Sequence, residues 1–262
     1  SNPNREPPAR PSGRPVDNLG TRGNRITVPR SPSAPGARRG SIGEILTFEY
    51  RGLGEERRPS DYQEAWDYQR EVHADVADGT RPGHIILLEH TPVYTAGRRT
   101  KPSDYPKDGT PTIATDRGGE ITYHGPGQLV GYPIVQLADG MGVVDYVRRL
   151  EAAIMTLLDG YGIRAMRVEG RTGVWLAASE GRPERKICAI GVRVSRRTTM
   201  HGFALNVRSS AERFGNIVPC GISDAGVTSI AEEVPGDWDV AAVAHDLEPI
   251  LRAELARFQP SA

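Results

Sequence analysis

The sequence is poor in cysteine, with two in 262 residues, Cys188 and Cys220, and neither belongs to a Cys-x-x-Cys pair. That excludes a disulfide-framed miniprotein and a structural zinc site of the usual spacing. None of the six histidines sits in a His-Glu-x-x-His arrangement, so no metalloprotease centre is written here. There is no Gly-x-x-x-x-Gly-Lys-Ser/Thr loop and no Gly-x-Gly-x-x-Gly turn, the phosphate cradles of P-loop and dinucleotide sites. No apolar run approaches the ~18 residues of a membrane span. Charge of one sign is missing too: 33 Lys and Arg balance 33 Asp and Glu. The field of the whole molecule therefore favours neither nucleic acid nor an anionic membrane. Without a membrane span or a secretory signal, a cytoplasmic location is expected.

The chain is rich in glycine and proline, 30 and 21 residues. Part of that excess sits at the front, where residues 1–40 hold eight prolines and eight arginines against Glu6 and Asp17, with Val16, Leu19, Ile26 and Val28 as the only large aliphatics. Such a stretch cannot bury a core, and its prolines forbid an amphipathic helix. It reads as a disordered Pro/Arg-rich extension of net charge +6, leaving −6 on a single folded domain over 41–262.

Within that domain the apolar periodicity alternates between strands and helices. Strand-like runs lie at 45–50, 84–89, 173–177, 186–194 and 202–207, and the second is apolar on consecutive positions, as a strand buried on both faces requires. Helical stripes run over 61–77, 143–161 and 240–258. In the second helix the stripe comprises Val143, Tyr146, Val147, Leu150, Ile154, Leu157, Leu158 and Tyr161. Regular βαβ alternation is absent, so the pattern predicts an α/β (α+β) fold with a mixed central sheet instead of a doubly wound parallel one.

Two segments stand out chemically. Residues 117–128 crowd four glycines, Pro126 and six polar or ionisable side chains into twelve positions. Glycines let a backbone approach a ligand closely, and Arg117, Thr122, Tyr123, His124 and Gln128 supply hydrogen-bonding groups around it; a glycine-rich hairpin is the plainer alternative. In the second segment Cys220 lies between Pro219 and Gly221, off any regular helix or strand. A nucleophilic thiol needs a neighbouring cation or base, for which Lys186, His124 and His201 are candidates; a small buried side chain is again the plainer reading. Cys188 sits in the alternating run 186–192 and reads as a strand residue, on the same face as Lys186 and Ile190.

Five ordered motifs then resemble one family: Glu89-His90-Thr91-Pro92-Val93-Tyr94-Thr95-Ala96-Gly97, Arg117-Gly118-Gly119-x-x-Thr122-Tyr123-His124-Gly125-Pro126-Gly127-Gln128, Lys186-Ile187-x-Ala189-Ile190-Gly191, His201-Gly202-Phe203-Ala204-Leu205-Asn206 and Pro219-Cys220-Gly221-Ile222. The chain resembles the lipoyl(octanoyl) transferases of lipoate biosynthesis from about Ile45 to Glu233. The resemblance implies a fold like the catalytic domains of biotin and lipoate protein ligases, a mixed central sheet with a smaller sheet beside it and flanking helices. It implies that Cys220 carries the acyl group as a thioester and that Lys186 is the acid and base. Arg117, Gly118, Gly119, Glu120, Ile121, Thr122, Tyr123, His124, Ala189, Ile190, Gly191, Gly202, Phe203 and Ala204 would line the acyl pocket.

The donor implied is octanoyl acyl-carrier protein, with its acyl group on phosphopantetheine. The acceptors are lipoyl domains of 2-oxoacid dehydrogenase complexes and the glycine-cleavage H protein. No cofactor and no metal are expected. An acidic body facing an acidic carrier predicts a local basic rim of Arg98, Arg99 and Lys101. Cys188 departs from the family pattern, which usually has a small residue such as alanine there. The competing readings are an ATP-dependent lipoate or biotin ligase, a cysteine thioesterase and a non-catalytic module that binds the carrier protein.

Overall fold

Asp61 accepts hydrogen bonds from the backbone N–H groups of Gln63 and Glu64 and so caps the first helix, α1 (Tyr62–Ala77). That helix buries Tyr62, Ala65, Trp66, Gln69, Val72 and Val76, one continuous stripe at helical spacing. The computed structural model describes residues 46–107, 109–209, 214, 215, 217 and 225–256. The expectations that fall outside them are the extension over 1–40, Ile45 at the start of the first strand, Cys220 with its flanking motif residues Pro219, Gly221 and Ile222, and the end of the last helix at 257–258.

The other described elements are, in chain order, β1 (Leu46–Arg51) before α1 and then β2 (Gly83–Leu88), β3 (Val93–Ala96), β4 (Thr112–Ala114), β5 (Thr122–His124), β6 (Gln128–Ile134), α2 (Val143–Gly160), β7 (Met166–Val168), β8 (Arg171–Leu176), β9 (Arg185–Ser195), β10 (Thr198–Asn206), β11 (Gly226–Val227), α3 (Ile230–Glu233) and α4 (Val240–Leu255). The large sheet has the order β1-β2-β6-β10-β9-β8-β7, and β11 pairs with the start of β9. Its pairings are antiparallel except β1 with β2 and β11 with β9, which are parallel. A second sheet, β4-β3-β5, stands beside it. The mixed sheet with a smaller companion is the predicted fold class.

Alternation along the central strands decides which layer each side chain joins. Ile85 and Leu87 of β2, Leu129 of β6 and Phe203 and Leu205 of β10 belong to the core shared with α2 and α4. Ile86, Leu88, Val130, Tyr132 and Ala204 belong to the core shared with α1. β2 is thus buried on both faces, as its unbroken apolar run requires. In α2 the packed stripe begins one turn later than the periodicity predicts. Val143 is 46% exposed, and burial starts at Tyr146. Glu151, on the same helix and 1% exposed, is balanced by Arg148 and Arg167, each 2.8 Å away.

Candidate active site

Small residues in register open a cavity on the α1 side of the sheet. Ala189 of β9 pairs with Ala204 of β10, and Gly191 with Gly202. A Cβ on Gly202 would lie 2.1 Å from the carbonyl oxygen of Gly131, and one on Gly191 would lie 2.8 Å from that of Gly118. A larger side chain at 202 would strike β6, and one at 191 would strike the glycine-rich loop. The cavity has a volume of about 260 Å³, at the small end of ligand pockets, so it suits a slender ligand.

The structure places Arg117, Gly119, Glu120, Thr122, His124, Lys186, Ala189, Ile190, Gly191, Gly202, Phe203 and Ala204 in the cavity wall. Two of the expected pocket residues are turned away. Ile121 and Tyr123 pack with Tyr94, Phe214 and Ile217 on the far face of the small sheet, because a strand sends successive side chains to opposite sides and only Thr122 and His124 face inward. Gly118 acts through its backbone: its N–H donates to the carbonyl of Val192 at 2.9 Å, clipping the glycine-rich loop to β9. Arg117, 7% exposed, holds that loop together. One terminal nitrogen donates to the carbonyls of Gly118 (3.1 Å) and Glu120 (2.9 Å), the other to the carbonyl (2.8 Å) and hydroxyl (2.9 Å) of Thr95.

The position of Lys186 corrects the sequence reading. Simple alternation puts Lys186, Cys188 and Ile190 on one face, but the ladder between β8 and β9 slips: Val174 pairs with Cys188 and Trp175 with Lys186. One extra residue on β9, Ile187, forms a bulge and reverses the side on which Lys186 emerges. Cys188 joins the core with Val174 and Leu205, while Lys186 reaches the cavity beside Ala189. Burial pushes the Cys188 thiol well above its ordinary range, so Cys188 is a small core residue.

Histidine and tyrosine rings form and back the inner wall, and hydrogen bonds fix which nitrogen of His124 and His90 carries a proton. Gln128 donates through Nε2 to the carbonyl of Tyr123 and to Asn206 Oδ1, which leaves its Oε1 to accept from His124 Nδ1 at 2.8 Å. His124 therefore carries a proton on Nδ1; burial, then the neighbouring His90, lowers its pKa to about 3, which leaves the ring neutral with its lone pair on Nε2. His90 donates from Nδ1 to the carbonyl of Ser60 (3.0 Å) and accepts at Nε2 from the Tyr132 hydroxyl (2.6 Å). Burial brings its pKa to about 4. His201 adopts φ 59°, a conformation costing ~1–2 kcal/mol in a non-glycine residue. It is held there by its backbone N–H to Gln69 Oε1 (2.9 Å) and by Nε2 to Asp116 Oδ1 (2.8 Å). The Asp116 carboxyl is lowered in turn, chiefly by that hydrogen bond.

Tyr62, Val130, Tyr132 and Arg99 also line the cavity, and the motifs had not assigned them to it. Val130 and Tyr132 follow from alternation along β6, once its inner face is known. Tyr62 carries no local signal. Among the described residues no group of three or more His, Cys, Asp or Glu side chains converges to hold a metal ion.

A mixed sheet with this loop, cavity and lysine defines a catalytic domain of the lipoate ligase class. The lipoyl protein ligase A/B catalytic domain matches residues 61–251, and the chain belongs to that family. It is 57% identical over 223 residues to an octanoyltransferase of Cutibacterium acnes, covering 82% of each chain. In three dimensions it is similar to lipoate-protein ligase A bound with ATP, with TM-score 0.58, 15% identity and 80% and 84% of the two chains covered. It is also similar to a bipartite lipoate protein ligase of Thermoplasma acidophilum, solved in a study with its E2 lipoyl domain, with TM-score 0.53, 15% identity and 72% and 79% covered. At these identities the structural likeness is one of fold.

Proposed function

We propose that this protein transfers an octanoyl group from the phosphopantetheine thioester of acyl-carrier protein to a lysine amine of a lipoyl domain. It is thus an acyltransferase of lipoate biosynthesis. The observation that carries this reading is the 57% identity to an octanoyltransferase across 82% of both chains. The cavity supports it, with Lys186, Ala189, Gly191 and Ala204 in its wall and about 260 Å³ of space for an unbranched acyl chain.

The chemistry needs no ATP and no cofactor of the enzyme's own. The Cys220 thiolate attacks the donor thioester carbonyl, the bond to the pantetheine sulfur breaks, and the Lys186 ammonium gives its proton to the departing thiolate. The acceptor amine then attacks the new thioester on Cys220. Lys186, now neutral, takes the proton from nitrogen, and the bond to the Cys220 sulfur breaks. An amide replaces a thioester, and enzyme and proton return to their starting state. The neutral His124, with Nε2 unprotonated, is a second acceptor on the same cavity wall. Arg99 at the cavity, with Arg98 and Lys101, forms the basic rim for the acidic carrier; reversing these charges raises the KM for the carrier at low salt. The acceptor is a lipoyl domain, in keeping with the family.

The test is intact-protein mass spectrometry after incubation with octanoyl acyl-carrier protein and no ATP, on wild type, Cys220→Ala and Cys188→Ala. A single hydroxylamine-labile octanoyl adduct, lost only in Cys220→Ala, is expected. An unmodified wild-type protein that acylates a lipoyl domain only with ATP would make it a ligase; rapid release of free octanoate without amide would make it a thioesterase.

A further inference from the structure

Trp175 lies outside the cavity wall, yet it is held against the lysine amine that reaches the cavity. The indole is 1% exposed, and its Nε1–H donates to the carbonyl of Arg171 at 3.2 Å. Burial and that bond together fix the plane of the ring. Trp175 is the direct register partner of Lys186 across the β8–β9 ladder, and Lys186 Nζ stands 4.6 Å from the ring centroid. That is within the ~6 Å over which an aromatic face attracts a cation.

The stem of the lysine runs beside Gly173. Gly173 has φ 124°, and a Cβ placed on it would lie 2.6 Å from the Cys188 carbonyl oxygen, 3.5 Å from Lys186 Cε and 3.6 Å from Cδ. The positive φ and the approach to the Cys188 carbonyl admit only a residue without a side chain there, while the lysine methylenes lie at ordinary contact distance. The bulge that sends Lys186 to the cavity falls at the same step, between the Val174 and Trp175 pairs.

We infer that Trp175 is a positioning residue for Lys186: its indole face holds the lysine ammonium at the cavity wall, ready to hand over a proton. A flexible four-carbon side chain loses rotamer freedom when fixed, and a proton donor is useful only where the leaving sulfur departs. The ring quadrupole attracts the ammonium and not the neutral amine. The ammonium is the form of the lysine that the acylation half-reaction consumes. The inference rests on the transferase reading above, with Lys186 as acid and base.

The experiment uses the full chain and follows acyl-enzyme formation by rapid quench and intact mass, with octanoyl acyl-carrier protein and no ATP. Mono-, di- and trifluorinated tryptophan placed at position 175 withdraws electron density from the ring with little change of shape. The logarithm of the acylation rate should fall stepwise with fluorine number while the KM for the carrier stays constant. Trp175→Met should acylate about 10-fold more slowly than wild type, and Trp175→Phe should recover part of that loss. If Trp175→Met does not fold, the fluorinated series still decides. Acylation rates indifferent to fluorination, in a wild type that forms the adduct, overturn the role of Trp175 alone. A wild type that forms no adduct overturns the transferase reading and this inference with it.

Discussion

Replacing Arg117 by lysine keeps a positive charge beside the cavity and removes the fork that ties the glycine-rich loop to β3. Two acceptor groups, the carbonyls of Gly118 and Glu120 on one side and Thr95 on the other, are served by separate guanidinium nitrogens. A lysine ammonium carries its three donors at a single point and can satisfy one group, not both. Two charge-assisted hydrogen bonds are lost from a residue only 7% exposed. At ~1.5–3 kcal/mol for each such bond, and with partial repair as the loop relaxes, Arg117→Lys should lose about 2–4 kcal/mol. For a domain of this size that lowers Tm by about 5–15 °C. Urea unfolding followed by circular dichroism measures it, with a reduced midpoint and an unchanged slope expected. A variant within ~0.5 kcal/mol of wild type would refute the reasoning. If it also showed a raised KM for the acyl donor, Arg117 would be a substrate contact instead of a loop tie.

Arg185 grips Glu233 with two bonds of 2.7 Å, and that contact leads the causes that lower the Glu233 pKa from 4.5 to about 2. Because the folded value lies below the ordinary one, the stabilisation is complete above pH 4.5 and fades as pH falls towards about 2. Glu233→Gln should therefore flatten the acid limb of a stability-against-pH curve measured by urea unfolding between those limits; an unchanged limb would count against the contact. Gly202→Ala places a Cβ 2.1 Å from the Gly131 carbonyl oxygen and 2.8 Å from Pro133 Cδ, which forces β6 and β10 apart at a cost of about 1–3 kcal/mol. A thermal melt identical to wild type would show that the close approach is not required. The Cys188 thiol, fully buried and raised in pKa by that burial, should resist iodoacetamide at pH 8 in folded Cys220→Ala protein and react only in urea; a native-state adduct on it would contradict its place in the core.

Much of the fold was legible because its strands and helices follow their own periods. The unbroken apolar run of β2 announced a strand covered on both faces, and Ile85 and Ile86 do face opposite cores. The site was legible unevenly, for two physical reasons. A motif is a contiguous string, whereas a strand shows a cavity only every second residue, so Ile121 and Tyr123 belong to the motif without facing the cavity. Period 2 applied to 121–124 would have separated them from Thr122 and His124.

The second reason is that the period itself can be broken by pairing that a single strand does not reveal. Nothing in the run 185–192 marks Ile187 as a bulge; the slip exists only in its pairing with β8, and that slip decides whether Lys186 faces the core or the cavity. The same limit applies to His201 and Asp116, which meet at 2.8 Å from positions 85 residues apart, and to Tyr62, whose place in the cavity follows from how α1 docks on the sheet. Residues that act through their own segment were readable. Those that act through a neighbouring strand, Trp175 foremost among them, became visible only once the register was known.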